Sequence, residues 1–209
     1  MTSSAVVRFV HEALAEPEAI VRARQSALEL GAAPVSAAVG AQCAVIAAAS
    51  GARSMIEIGT GAGVSGLWLL HGAPDAVLTT IDKEPEHLAE ARKSFQAAGV
   101  GSSRARYITG RAAEVLPRMN EASYDVVLVD ADPEDVLENV EHGLRLVRAG
   151  GTVLVPRVLA SGRVADPVAR DQLTTDLRGL LSETLGSTTI ISSLLPIDEG
   201  LLQITTARA

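Results

Sequence analysis

Short runs of aliphatic and β-branched residues at 54–58, 77–81, 105–109, 124–129 and 151–155 alternate with longer stretches whose apolar residues fall at helical spacing. That alternation predicts right-handed βαβ units and a parallel sheet. Upstream, residues 6–14, 18–30 and 36–50 carry apolar side chains at helical spacing, interrupted at Pro17 and in the stretch 31–34, so three helices are expected before the first strand. Two further strand-like runs, 188–194 and 201–206, are joined by 196–200, which is too short for a crossover helix. They are expected to pair antiparallel. The expected fold class is therefore α/β, with a mostly parallel seven-stranded sheet, a C-terminal antiparallel hairpin and N-terminal helices. No internal repeat, low-complexity segment or long linker interrupts the pattern. Residues 1–209 are read as one domain, with a helical part at 1–50 and a sheet-containing core at 51–209.

Composition narrows this picture. The 209 residues are 47% hydrophobic and 2% aromatic, so the core must be built from Ala, Val, Leu and Ile, as suits helices packed on a parallel sheet. A net charge of −7 without a basic stripe argues against nucleic acid or an anionic membrane surface as partner. The single cysteine, Cys43, lies in an alanine-rich segment, excludes an intramolecular disulfide and fits a reducing cytoplasm. Residues 1–8 lack the pattern of a signal peptide, and no apolar run reaches the roughly 18 residues needed to span a bilayer. A cytoplasmic location and no membrane partner are expected.

The stretch 55–66, Met-Ile-Glu-Ile-Gly-Thr-Gly-Ala-Gly-Val-Ser-Gly, passes from a strand pattern through glycines into a helix pattern. Glycines there allow a sharp turn and close approach of a ligand, while the helix start offers free N–H groups. Gly61, Gly63 and Gly66 match the dinucleotide fingerprint, and Asp82 lies about 20 residues on, where a ribose-binding carboxylate is expected. Spacing alone thus admits a nicotinamide-dependent oxidoreductase. Three features oppose it: the carboxylate of Glu57 would repel a pyrophosphate, three helices precede the glycine strand, and the chain closes in a hairpin rather than a second mononucleotide half.

Taken together, Glu57-Ile-Gly-Thr-Gly-Ala-Gly-Val-Ser65, Asp82 at the end of the second strand, Gly110-Arg-Ala-x-Glu-x-Leu116, Asp130-Ala-Asp132 and Leu146-x-x-x-Gly-Gly151 resemble class I S-adenosylmethionine-dependent O-methyltransferases, of the small catechol and caffeoyl-CoA type. The resemblance runs from about Pro34 to the C-terminal hairpin. It implies a Rossmann-like methyltransferase fold, S-adenosylmethionine as cofactor, a small-molecule acceptor methylated on oxygen, and a homodimer. By the same resemblance, Asp82 would hold the ribose, Glu57, Gly59, Thr60 and Gly61 would line the methionine portion, and Ser65 would donate to its carboxylate. Val35 would close over it, and Lys83 with the Arg111-Ala112 backbone would flank adenine.

The acceptor end departs from the family. Metal-dependent members carry Asp-x-x-Lys after the fourth strand and an Asp-Asn pair after the fifth; here these read Asp130-Ala-Asp-Pro133 and Pro156-Arg157. A hard cation needs several oxygen ligands, so losing two side-chain donors and gaining a guanidinium is expected to abolish a useful divalent-metal site. Arg157 is expected to take the cation's place, pairing with Asp130 or Asp132 or orienting an anionic acceptor, against the plainer reading of a surface salt bridge. Asp130 is the candidate base and, with Arg157, the candidate acceptor contact. An inactive S-adenosylmethionine-binding protein remains an alternative. His11, His71, His87 and His142 show no ligand spacing, and Trp68 is read as packing.

Overall fold

The computed structural model describes residues 4–207, so the extreme N-terminal residues of the leader reading, like the side chain of His11, lie outside the description. Three helices come first: α1 (Ser4–Ala13), α2 (Glu18–Glu29) and α3 (Ala37–Ala49). The remainder runs β1 (Ser54–Ile58), α4 (Val64–Gly72), β2 (Val77–Asp82), α5 (Pro85–Ala97), β3 (Ala105–Thr109), α6 (Ala112–Val115), β4 (Tyr124–Val129), α7 (Val136–Leu146), β5 (Val147–Pro156), α8 (Gln172–Gly186), β6 (Ile190–Leu195) and β7 (Leu201–Thr206). The strands form one sheet in the order β3-β2-β1-β4-β5-β7-β6. Pairings are parallel except β5 with β7 and β6 with β7, so the expected C-terminal hairpin is present.

The parallel strands are buried on both faces, which is why they read as near-continuous apolar runs. One face of the sheet packs Met55, Leu78, Val126 and Leu154 under α2 to α5, the other packs Ile56, Val127, Val153 and Ile204 under α6, α7 and α8. Small residues bring α3 and α4 close together. A Cβ on Gly72 would lie 2.0 Å from the Ala44 carbonyl oxygen, and one on Gly40 would lie 2.1 Å from Trp68. Trp68 is 4% exposed in this layer and serves packing.

Element starts follow local chemistry. Ser36 caps α3 by accepting from the Val39 amide at 3.2 Å, and Asp171 caps α8 by accepting from the Thr174 amide at 3.1 Å. The acidic run after β4 forms a 3-10 turn, Pro133–Asp135, that leads into α7. Strand β5 starts four residues earlier than the alternation predicts. The chain leaves α7 already extended and pairs Val147 with Tyr124, before a register shift at the Ala149-Gly150-Gly151 step, where Gly150 has φ +79°.

Candidate active site

The chain proceeds from β1 outward to β2 and β3, then returns to place β4 on the other side of β1. The C-terminal ends of β1 and β4 therefore diverge at a switch point, the place where open α/β sheets bind ligands. A cavity of about 580 Å³ opens there. That size lies within the range of roughly 300 to 1,000 Å³ typical of small-molecule sites.

Three backbone bonds tie the strand ends that surround the cavity. The Gly59 amide donates to the Ile81 carbonyl at 2.9 Å, the Asp130 amide to Ile58 at 2.8 Å, and the Gly110 amide to Asp82 at 3.0 Å. Gly59 has φ +91°, and a Cβ there would lie 2.0 Å from the Asp130 carbonyl oxygen. Both the conformation and the contact demand glycine. Gly59→Ala is expected to destabilise the fold by more than about 3 kcal/mol, read as the change in urea midpoint with unchanged slope. Gly61 and Gly63 also have positive φ, and Gly63 sits at the start of α4.

Asp82 organises the glycine turn. Its Oδ2 accepts from the Thr60 amide at 3.0 Å and the Gly61 amide at 2.9 Å, and its Oδ1 accepts from the Glu84 amide at 2.9 Å. His87 Nδ1 lies 3.2 Å from the same Oδ2. A carboxylate offers about four acceptor positions, so Oδ1 keeps one beyond the bond it accepts from Glu84.

Behind the turn lies a fully buried carboxyl. Glu57 is 0% exposed; Ser65 donates to its Oε1 at 2.5 Å and Thr80 to its Oε2 at 2.7 Å, while the Thr80 and Thr60 hydroxyls share a 2.6 Å bond. Burial outweighs those donors and pushes the Glu57 carboxyl up to about 8. Cys43 nearby is buried and its thiol is also raised, mainly by burial, which makes it inert.

At the other end of the cavity, Asp130 is paired with Arg157, whose second nitrogen donates to the Ala33 carbonyl. Arg157 has φ +62°, a conformation uncommon for a residue with a side chain. The loop thus holds strain while aiming the guanidinium back over the strand ends. Burial lifts the Asp130 carboxyl to about 7 even with the guanidinium beside it. Asp132 is instead joined to Lys83 at 2.5 Å across the rim. Of the two aspartates offered as partners for Arg157, Asp130 is the one it pairs with.

Gly59, Thr60, Gly61, Ser65, Asp82, Lys83, Arg111, Ala112, Asp130 and Arg157 all line the cavity. Glu57 and Val35 do not. Glu57 stands one layer behind, reaching the cavity through Ser65, because its place on β1 points into the α4 side of the sheet. The hydroxyl of Ser65 is directed at Glu57, so in this structure it is not aimed at a ligand carboxylate. Val35 is 3% exposed, and its carbonyl accepts from Arg24 at 2.7 Å, fixing the bend before α3. Ala33 and Asn139 are among the lining residues with no sequence signal of their own, and His87 is one that its spacing set aside. Asn139 could have been found as the one polar side chain among the buried positions of α7. Ala160, Ser161 and Arg163 from the loop after β5 also line the cavity, and no group of three or more His, Cys, Asp or Glu side chains suited to a metal occurs among the described residues.

Known proteins give this geometry a context. A family model described as O-methyltransferase matches residues 10–206. A protein of Mycolicibacterium smegmatis, provisionally named an O-methyltransferase, is 44% identical over 202 residues, 96% of each chain. A Mycobacterium tuberculosis protein, Rv1220c, named in the same provisional way, is 46% identical over 190 residues, covering 90% of this chain and 85% of the relative. Among solved structures, a Corynebacterium glutamicum protein superposes with a TM-score of 0.90 at 30% identity, covering 98% of this chain and 97% of the other. The Streptomyces achromogenes O-methyltransferase TomG, solved with S-adenosylmethionine, gives 0.85 at 29% identity, covering 98% and 96%. None of these supports a nicotinamide-dependent oxidoreductase or an inactive binder. The fold is the Rossmann-like methyltransferase fold, and the chain belongs to the O-methyltransferase family.

Proposed function

We propose that this protein transfers a methyl group from S-adenosylmethionine to an oxygen of a small-molecule acceptor, and does so without a divalent metal. The observation that carries the proposal is the glycine turn 59–61 held to Asp82 at the β1/β4 switch point, in a family whose member TomG was solved with that cofactor. When bound, the cofactor supplies an electrophilic methyl carbon on a sulfonium.

The residues present fit it. Asp82 has an acceptor position left for a ribose hydroxyl, and the start of α4 offers N–H groups to the methionine carboxylate. Lys83 and the 111–112 backbone, which line the same cavity, would flank the base. Asp130 and the buried Glu57 supply negative charge near a cationic centre once they ionise. At the acceptor end, Arg157 holds Asp130 in place and presents a positive charge to an acceptor oxygen, the task a cation performs in metal-dependent members. Asp130, raised to about 7, is matched to accepting a hydroxyl proton near neutrality. What remains is alignment of acceptor oxygen, methyl carbon and sulfur, which positioning alone accelerates strongly. The guanidinium already occupies Asp130, and Pro156 offers no side-chain oxygen, so the donor set does not fit a hard cation.

A pH dependence follows from Glu57. Between 4.5 and about 8 the folded protein holds this proton more tightly than the unfolded chain, so its contribution to stability falls as pH rises through that window. A cationic ligand favours the ionised form, so S-adenosylmethionine affinity is expected to rise several-fold from pH 6 to 9, and Glu57→Gln should flatten the rise. Calorimetry across that range checks both.

One folding unit, a homodimer and a cytoplasmic location belong to the same proposal. All seven strands share one sheet, and α1 exposes Val6, Val7, Phe9 and Val10, the kind of surface that subunit contacts cover. Among the described residues no helix is long and apolar enough to cross a membrane. The activity is tested by labelled methyl transfer to a panel of phenols, catechols and carboxylic acids, with and without chelator; recovery of label on oxygen, unaffected by chelation, is the expected result.

A further inference from the structure

We propose that Asn139 donates a hydrogen bond to a ring nitrogen of the cofactor's adenine, and so helps select the base. The inference rests on the S-adenosylmethionine reading and adds a contact that the glycine turn, Asp82 and Lys83 do not supply.

Asn139 is 1% exposed, lines the cavity, and its amide nitrogen is buried with no hydrogen-bond partner. A buried donor left without a partner is costly, so it calls for a ligand or water that accepts from it. The other buried positions of α7 are Val136, Val140, Gly143 and Leu146, all apolar or small and seated on β4 and β5. A leucine at 139 would satisfy packing alone.

Its position within the cavity follows from the helix. In the right-handed crossover from β4 to β5, the ridge of α7 formed by residues 139, 142 and 145 faces back toward the segment before β4. Arg145, about 120° round the helix from Asn139, donates to the carbonyls of Leu116 at 2.6 Å and Met119 at 3.3 Å, just beyond α6, and so marks the flank of α7 that turns toward that segment. Asn139, about 9 Å nearer the strand ends, lies between that flank and the buried face of the helix. The cavity residues there are Gly110, Arg111 and Ala112. That wall is where the base lies if Asp82 takes the ribose. Adenine carries three ring nitrogens that accept and cannot donate, which suits an amide N–H held in a dry wall.

The test is calorimetric titration of the full-length protein with S-adenosylhomocysteine and its 1-deaza, 3-deaza and 7-deaza adenine analogues, each replacing one ring nitrogen by C–H. Wild-type protein is expected to bind one of the analogues about tenfold more weakly than the parent. In Asn139→Leu, the parent should lose about tenfold and the discrimination against that one analogue should disappear, while the ratio of the parent's affinity to those of the other two stays as in the wild type. Equal affinity of the wild type for all four compounds, or a leucine variant that weakens all four by one common factor, would overturn the proposal. The wild-type comparison needs no variant, so it stands even if Asn139→Leu does not fold. Absence of any binding of S-adenosylhomocysteine by the wild type would instead end the cofactor reading itself.

Discussion

Asp82→Ala is expected to weaken S-adenosylmethionine binding by more than about 100-fold, because two separate functions reside in one carboxylate. It accepts from the Thr60 and Gly61 amides and so sets the turn against which the methionine portion would lie. It also keeps an acceptor position for a ribose hydroxyl. Losing charge-assisted hydrogen bonds of this kind costs about 1.5 to 3 kcal/mol each, and at least two are lost. Asp82→Asn is the sharper variant: the NH2 that replaces one oxygen faces a backbone amide in either orientation, Thr60 and Gly61 at one position or Glu84 at the other. Calorimetry reads the affinity, and near-native urea unfolding of the variants would assign the loss to the site rather than to the fold.

Arg157→Ala is expected to have the second largest effect. Removing the guanidinium strands the Asp130 carboxyl in a buried position, which costs about 3 kcal/mol or more when the group is ionised. Because Arg157 is what opposes the burial of Asp130, the carboxyl rises above its present value of about 7 when the guanidinium is gone. Asp130 then carries its proton at neutral pH and cannot accept one. Methyl transfer at pH 7 is expected to fall by roughly 100-fold, in line with the worth of a general base. Part of the rate should return at higher pH, and that recovery separates a proton-transfer role from simple misfolding. Arg157→Lys should recover little, since one ammonium cannot bridge Asp130 and the Ala33 carbonyl with the same geometry. The double variant Pro156→Asp with Arg157→Asn restores two oxygen-bearing side chains beside Asp130, and it is expected to gain measurable Mg²⁺ or Ca²⁺ affinity. If no cation binds, Arg157 does more than replace a charge.

Much of the fold was legible in the chain because strands buried on both faces leave unbroken apolar runs, and four of the seven have the bounds read from the sequence alone. The start of β5 was not legible. It depends on how Val147 meets Tyr124 across a register shift, a tertiary event with no local pattern. The turn after β1 was legible because its parts are backbone: glycines that must adopt positive φ announce themselves. Glu57 illustrates the limit. Its carboxylate beside the glycines invites a direct ligand contact, yet strand alternation turns it into the interior, where Ser65 and Thr80 take both oxygens. Arg157 was visible as a departure, but its partner was settled only by the backbone at φ +62° that swings it over Asp130 while Lys83 engages Asp132. Asn139 was hidden for the opposite reason: a single polar residue in an apolar helix face reads as tolerated noise until its amide is seen without a partner.

The central claim is that the β1/β4 crevice binds S-adenosylmethionine through protein groups alone. Titrating the purified protein with S-adenosylmethionine in the presence of EDTA tests it most directly, with NAD titrated in parallel. The account requires saturable binding of one S-adenosylmethionine per chain, unchanged by the chelator, and no binding of NAD. Heat from NAD with none from S-adenosylmethionine, or binding of S-adenosylmethionine that vanishes with EDTA, would contradict it.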